Sequence, residues 1–219
     1  MSLTNNAGPV KRRYESPRRV AMRRQTRRAI VEAAARLFAE RGYVGTSFDA
    51  IAEAAGVGRA TVFAHFPTKA GLLKTAYDVT LVGDDEPIPL PQRPESIAVR
   101  AERDARAFLA GYAAIVTGVA RRVSPIYEAI RGAAHADPEA ADVWRQVGAE
   151  RRIGGANIVA SIVDRGGLRP GADPERAADL VFALVDPGLY HLLVRERGWG
   201  HEAFTAWLAA TLQRELVPD

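Results

Sequence analysis

Apolar residues in this chain recur three and four positions apart in segment after segment, and nowhere do they alternate in the two-residue rhythm of a half-buried strand. Gly and Pro fall mostly between these periodic stretches. The combination restricts the chain to an all-α fold. At 219 residues it is long enough for a substantial core and for one or two domains. It contains no cysteine, which excludes disulfide scaffolds, thiolate zinc sites and cysteine nucleophiles and fits a cytoplasmic location. No unbroken run of 18 apolar residues occurs, and no apolar stretch follows the basic N-terminus as a signal peptide would require, so no membrane association is expected.

Periodicity and punctuation predict helices over 23–41, 48–55, 59–66 and 69–81. Ile30, Ala34, Leu37 and Phe38 form the buried stripe of the first. Thr46 or Ser47 caps the second, and the Thr46-x-x-Asp49 spacing is that of a capping box. Four prolines and three acids between Gly83 and Pro94 predict a semi-extended linker. Beyond it, a polar cap followed by proline opens helices at Ser124–Pro125, Asp137–Pro138 and Asp173–Pro174. The second half thus divides into helices near 95–122, 125–136, 138–166, 174–197 and 201–217. Gly154–Gly155 should loosen the third of these, and Asp186–Pro187–Gly188 should kink or split the fourth.

Charge is distributed unevenly. Residues 1–28 hold nine Lys and Arg against one acid, Glu15, while the whole chain is only +4, so the remainder is net acidic. A basic end on an acidic body suits a polyanion such as nucleic acid. Residues 1–20, polar and broken by Pro9 and Pro17, are expected to be a disordered basic arm.

Directly after the basic segment, residues 47–66 read SFDAIAEAAGVGRATVFAHF. Two short helices flank a tight turn at 55–58, where Gly56 can supply a positive φ and Ala52 lets the helices cross closely. This is the pattern of a helix-turn-helix whose second helix enters the DNA major groove. Gly42-Tyr43-x-x-Thr46-Ser47-x-x-x-Ile51-Ala52-x-x-Ala55-Gly56-Val57-x-x-Ala60-Thr61-Val62-Phe63-x-x-Phe66-x-x-Lys69-x-x-Leu72-Leu73 resembles the DNA-binding domain of tetracycline-repressor (TetR) family regulators. The resemblance covers about 28–73. It implies a helix-turn-helix domain over 21–68 and a helical ligand-binding and dimerisation domain over 69–219. It places Thr46 and Ser47 at a helix N-terminus that can hold a phosphate. It sets Arg59, Ala60 and Thr61 at base edges, with Arg59 suited to guanine. Phe63, His65 and Lys69 match backbone-gripping positions, although the family commonly has tyrosine at Phe63 and its hydroxyl is lost here. The arginines Arg18, Arg19, Arg23 and Arg24 of the arm can add phosphate or minor-groove contacts.

The second half offers Phe108, Tyr112, Tyr127, Trp144 and Arg151 as candidates for lining a small apolar or aromatic ligand site. The stretch 180–185 is apolar all round, and the last helix carries a long apolar stripe. Together they resemble the family's dimerisation pair, with Leu184, Leu192, Phe204, Trp207 and Leu208 as candidate anchors of a homodimer. The four histidines lack metal-ligand spacing, and no Walker A, Gly-x-Ser-x-Gly or Gly-x-Gly-x-x-Gly sequence occurs, so no metal, cofactor or catalysis is expected. The expected function is a DNA-binding transcriptional regulator, a repressor released from an inverted-repeat operator by a small molecule. A ligand-free DNA-binding protein and a helical enzyme remain the rival readings.

Overall fold

The computed structural model describes residues 16–83 and 88–218. The described residues form helices and connecting turns, with no strand among them. Helix α1 (Pro17–Arg41) opens with proline at its first turn and Ser16 as its cap, and stops at Gly42, whose φ is 69°. It is therefore longer than the periodicity indicated. Residues 17–20, expected in a disordered arm, are helical, and Arg18 and Arg19 stand exposed on that extension as Arg23 and Arg24 do just beyond it. The apolar stripe begins only at Ile30, which is why the pattern missed the earlier turns; the Ser-Pro start signal marks them instead. The rest of the arm, 1–15, lies outside the described residues.

Helices α2 (Phe48–Ala55), α3 (Arg59–His65) and α4 (Lys69–Val82) follow, close to expectation. Gly56 takes the left-handed conformation that ends α2 and turns the chain into α3. Thr68 caps α4, accepting from the Gly71 N–H at 3.0 Å. Ile30, Ala34, Leu37 and Phe38 of α1 are buried against Ile51, Val62, Leu72, Leu73 and Tyr77. The same cluster continues into Ile126, Tyr127 and Ile130 and then Val143 and Val147, so the core runs without a break from the first three helices into the second half.

That second half comprises α5 (Pro94–Ala101), α6 (Ala105–Ala133), α7 (Pro138–Asp164), α8 (Pro174–Leu184), α9 (Pro187–Tyr190) continuing as a π-helical turn over His191–Glu196, and α10 (His201–Leu216). Part of the 83–94 linker, 84–87, lies outside the described residues; Leu90–Gln92 forms a 3₁₀ turn. The helix expected over 95–122 is two helices, because Asp104 caps a fresh start by accepting from the Ala107 N–H at 2.7 Å.

Two further expectations fail for identifiable reasons. Pro125 does not open a helix; it sits inside α6. Proline there removes the N–H that would bond the Arg121 carbonyl. Arg195 fills the gap, donating from Nη2 to that carbonyl at 3.1 Å and from Nε to the buried Ser124 hydroxyl at 3.3 Å. Gly154–Gly155 does not loosen α7 either. A Cβ on Gly155 would lie 3.0 Å from the Ala178 carbonyl, so this glycine lets α7 and α8 pack closely. The split at Asp186–Pro187–Gly188 is as expected: Asp186 caps α9, accepting from the Gly188 N–H at 2.7 Å.

Candidate nucleic-acid interface and ligand cavity

The turn between α1 and α2 sets up the first half of the interface. Ser47 is the cap of α2, accepting from the Ala50 N–H at 3.1 Å, and stays exposed with its own O–H free to donate outward. Thr46 is different. It is 1 % exposed, and its hydroxyl donates to the Gly42 carbonyl at 2.8 Å with the Leu37 carbonyl 3.1 Å away. The Gly42 carbonyl lies at the end of α1, where the helix supplies it no partner. Thr46 therefore closes the preceding helix; its side chain reaches no phosphate and makes no capping box with Asp49.

Arg59 and Ala60 are exposed at the start of α3, and Thr61 and His65 are half-buried along it. Phe63 is 42 % exposed and meets the Phe48 ring edge-on at 4.6 Å, which locks α3 against the start of α2. Ser47, Arg59, Ala60, Thr61 and Phe63 thus come together on one surface formed by these two helices. The Arg59 guanidinium lies 5.4 Å from the centre of the Phe63 ring and pairs with Asp49 at 3.0 Å. Both partners are more than half exposed, so the pair is worth about 0.2–1 kcal/mol and yields readily to a stronger acceptor. The capping-box spacing gives no sign of Asp49's place beside Arg59, which comes from the crossing of α2 and α3. His65 packs its ring beside Phe66 at the end of α3.

Lys69, expected to grip phosphate, is turned inward. Its ammonium donates to the carbonyls of Tyr43 at 2.9 Å and Thr46 at 3.2 Å and sits 4.0 Å from the centre of the Tyr43 ring. Desolvation lowers its pKa, opposed by the nearby Asp137 carboxylate. The residue braces the loop that carries Ser47. Tyr43 in turn donates to Asp137 Oδ2 at 2.6 Å. Asp137 caps α7 with its other oxygen, accepting from the Glu139 N–H at 2.9 Å. The Tyr43 bond holds the Asp137 carboxyl below the usual carboxylate range.

In the second half, α4, α5, α6 and α7 line a cavity of about 590 Å³ that opens to solvent. Its wall is mostly aliphatic, with Leu81, Val99, Ile115, Val116 and Ile158, and three of the expected residues line it: Phe108, Tyr112 and Arg151. Two do not. Trp144 packs against the Tyr127 ring at 5.1 Å in the neighbouring core. Tyr127 stands behind the wall, where its hydroxyl accepts from Arg151 Nη1 at 3.0 Å and donates to Asp186 Oδ2 at 2.9 Å. Arg151 is nearly buried, pairs with Asp186 at 2.7 Å and donates to the Phe182 carbonyl at 2.7 Å. Sequence reasoning missed Tyr77 and Leu81, contributed by α4. Both belong to the first helix of the 69–219 part, and only the tertiary fold shows that its later turns face the cavity.

Comparison with known proteins bears directly on this two-part layout. The sequence profile of bacterial regulatory proteins of the tetR family matches residues 30–76, and the profile of the tetracyclin repressor-like C-terminal domain matches 100–212. The second alone spans more than half of the chain. The chain belongs to the tetracycline-repressor (TetR) family. It is a DNA-binding transcriptional regulator, in a family of regulators rather than enzymes. An HTH-type transcriptional regulator of Bacillus subtilis, YdeS, itself uncharacterised, is 26 % identical over 170 residues, 77 % of this chain and 79 % of the relative. The structure of NalD, the secondary repressor of the MexAB-OprM multidrug efflux pump in Pseudomonas aeruginosa, is 26 % identical. It covers 90 % of this chain and 99 % of its own, with a TM-score of 0.65. The regulator FadR of Bacillus subtilis, solved with stearoyl-CoA, shares the fold at 17 % identity, covering 85 % of this chain and 97 % of its own, with a TM-score of 0.66.

The TetR-type second half also presents an apolar face. Pro174–Glu196 has the length and apolar composition of a membrane-crossing segment, but the helix is broken at Asp186, where α8 and α9 part. Less than a quarter of its most apolar window is buried in the protomer. Leu192 is 45 % exposed, Leu184 and Trp207 are half-buried, and Trp199, 39 % exposed, stacks edge-on to Trp207 at 5.9 Å. Phe204 and Leu208 are not on this face: at 2 % and 1 % exposed they are core residues of the protomer, packed with Tyr190, Leu212 and Val181. The stripe of α10 mixed two apolar surfaces that the sequence could not separate.

Proposed function

We propose that this regulator is a homodimeric repressor that leaves an inverted-repeat operator when a small, largely apolar molecule enters the cavity. It acts in the cytoplasm by binding rather than by catalysis, with residues 21–68 as the DNA-reading part and 69–219 as the sensing and dimerising part. One observation carries the reading: α4, the first helix of the sensing part, also touches the DNA-reading part. Its first residue, Lys69, braces the loop that presents Ser47, and its later turns wall the cavity through Tyr77 and Leu81. A rigid helix anchored at both ends transmits displacement of the cavity wall to the DNA-facing loop. NalD, a repressor of an efflux pump by its description, supports repression as the direction of control.

Arg59 reads a base edge, with Ala60 and Thr61 beside it, while Ser47, Phe63 and His65 and the exposed arginines of α1 meet the backbone. Leu184, Leu192 and Trp207, joined by Trp199, form the dimer seam, and the exposed apolarity of Pro174–Glu196 supports it. A gel-shift titration of the full chain on the DNA upstream of its own gene tests the whole reading. Saturable binding to an inverted repeat, reversed by members of a panel of apolar small molecules, is expected. Binding of equal strength to scrambled DNA would overturn it.

A further inference from the structure

The polar end of the cavity has an unusual electrical balance. Arg151 carries the one cationic group within it, and Asp186 neutralises that group at 2.7 Å. Glu150, exposed at the edge of the lining, shares Lys74 with Asp78, the ammonium lying 3.2 Å from Glu150 and 2.7 Å from Asp78. Arg100 stands exposed at the rim, donating to the Pro91 carbonyl. Glu150 and Arg100 are both exposed, so the charge held within the cavity is the Arg151–Asp186 pair, which is already neutralised. A carboxylate would have to compete with Asp186 for a guanidinium it already holds, and an ammonium would meet that guanidinium head-on; each would lose its hydration shell without a counter-charge.

What the interior does offer is donors. Tyr77 and Tyr112 both line the cavity, and neither hydroxyl has a hydrogen-bond partner among the described residues. Among those residues the sealed polar side-chain atoms without a partner are Glu128 Oε1 and His191 Nδ1, so the two phenol hydroxyls keep contact with open space. Tyr77 is 2 % exposed overall, its ring fixed in the core against Tyr127 at 6.5 Å. Burial pushes both phenols above their ordinary range, and the nearby Arg151 pulls each the other way, so both remain neutral O–H donors throughout the physiological range. A buried donor left without an acceptor is costly, and a ligand that brings one is selected against an analogue that does not.

We propose that the cavity is built for an uncharged, largely apolar molecule bearing a hydrogen-bond acceptor such as a ketone or amide carbonyl, which the Tyr77 and Tyr112 hydroxyls read beside the neutralised Arg151–Asp186 pair. This rests on the reading of the cavity as the ligand site. The carbonyl takes the two O–H groups, and the aliphatic wall of Leu81, Val99, Ile115 and Ile158 takes the hydrocarbon.

Isothermal titration of the full-length protein with 2-undecanone, decanoate and decylammonium, each below its micelle-forming concentration, tests the class. The ketone is expected to bind at least about tenfold more tightly than either charged chain. Tyr77→Phe with Tyr112→Phe keeps both rings and is expected to weaken the ketone about tenfold, the effect of two hydrogen bonds. Tighter binding of decanoate or decylammonium, or a double variant that binds the ketone as the parent does, would overturn the proposed class and leave the ligand site standing. No heat from any of the three chains would count against the ligand site itself, and so against both readings.

Discussion

The Tyr43 hydroxyl donates a hydrogen bond of 2.6 Å to the Asp137 carboxylate, 94 positions further along the chain. One end of this bond is in the loop that positions Ser47 at the DNA-facing surface. The other is the cap of α7, the helix that contributes Arg151 to the cavity. It adds a polar tie between the two halves to the continuous core that already joins them.

Tyr43→Phe is expected to lower stability by about 1 kcal/mol while keeping the ring beneath Lys69. Asp137→Ala removes a helix cap as well and should cost about 2 kcal/mol. Because the folded Asp137 carboxyl is held below its unfolded value, its contribution is complete above the ordinary aspartate range and is lost as pH falls through the folded value. Denaturant melts of the parent and Asp137→Asn should therefore differ least in acid and most near neutrality. A constant difference across that range would remove Asp137 as the cause.

Arg59→Ala should cost about 1–3 kcal/mol on the operator and much less on unrelated DNA, with the fold intact because the side chain is exposed. Asp49→Ala should do the reverse. It releases Arg59 and removes a negative charge facing the phosphates, so affinity for all DNA rises and the salt dependence steepens. Fluorescence anisotropy on operator and scrambled duplexes at several salt concentrations separates the two effects.

Lys69→Met keeps the packing of the stem but withdraws the donors from the Tyr43 and Thr46 carbonyls. Both thermal stability and DNA affinity should fall. A variant that lost affinity alone, at unchanged melting temperature, would return Lys69 to a direct phosphate contact.

On the apolar face, Leu192→Asp should split the dimer and leave the protomer folded, since Leu192 is already 45 % exposed. Leu208→Ala should instead cost about 2–5 kcal/mol as a core cavity. Sedimentation velocity and thermal melts of the two variants distinguish seam from core.

Much of this was legible in the sequence because local rules and tertiary fold agree. The helix-turn-helix over 48–65 follows from its caps and from Gly56, and Phe108, Tyr112 and Arg151 follow from helical spacing. Misreadings arose where one signal has two outcomes. Ser16–Pro17 starts a helix and Ser124–Pro125 does not, and the difference lies in Arg195, about 70 residues from Pro125 in the chain. Thr46 and Lys69 carry the residue types of phosphate ligands, but their donors satisfy carbonyls of the α1–α2 turn. Phe204 and Trp207 share a helix yet face different neighbours. Each of these depends on contacts between distant segments, which spacing along the chain does not encode.

Ligand and operator each favour a different conformation of the protein, and thermodynamic linkage makes that antagonism measurable from either side. Titrating 2-undecanone into the protein alone and into the protein saturated with operator DNA tests it most directly. The ketone should bind the DNA complex more weakly, by the same factor by which saturating ketone weakens operator binding. Equal affinity for the ketone in the two states would contradict it.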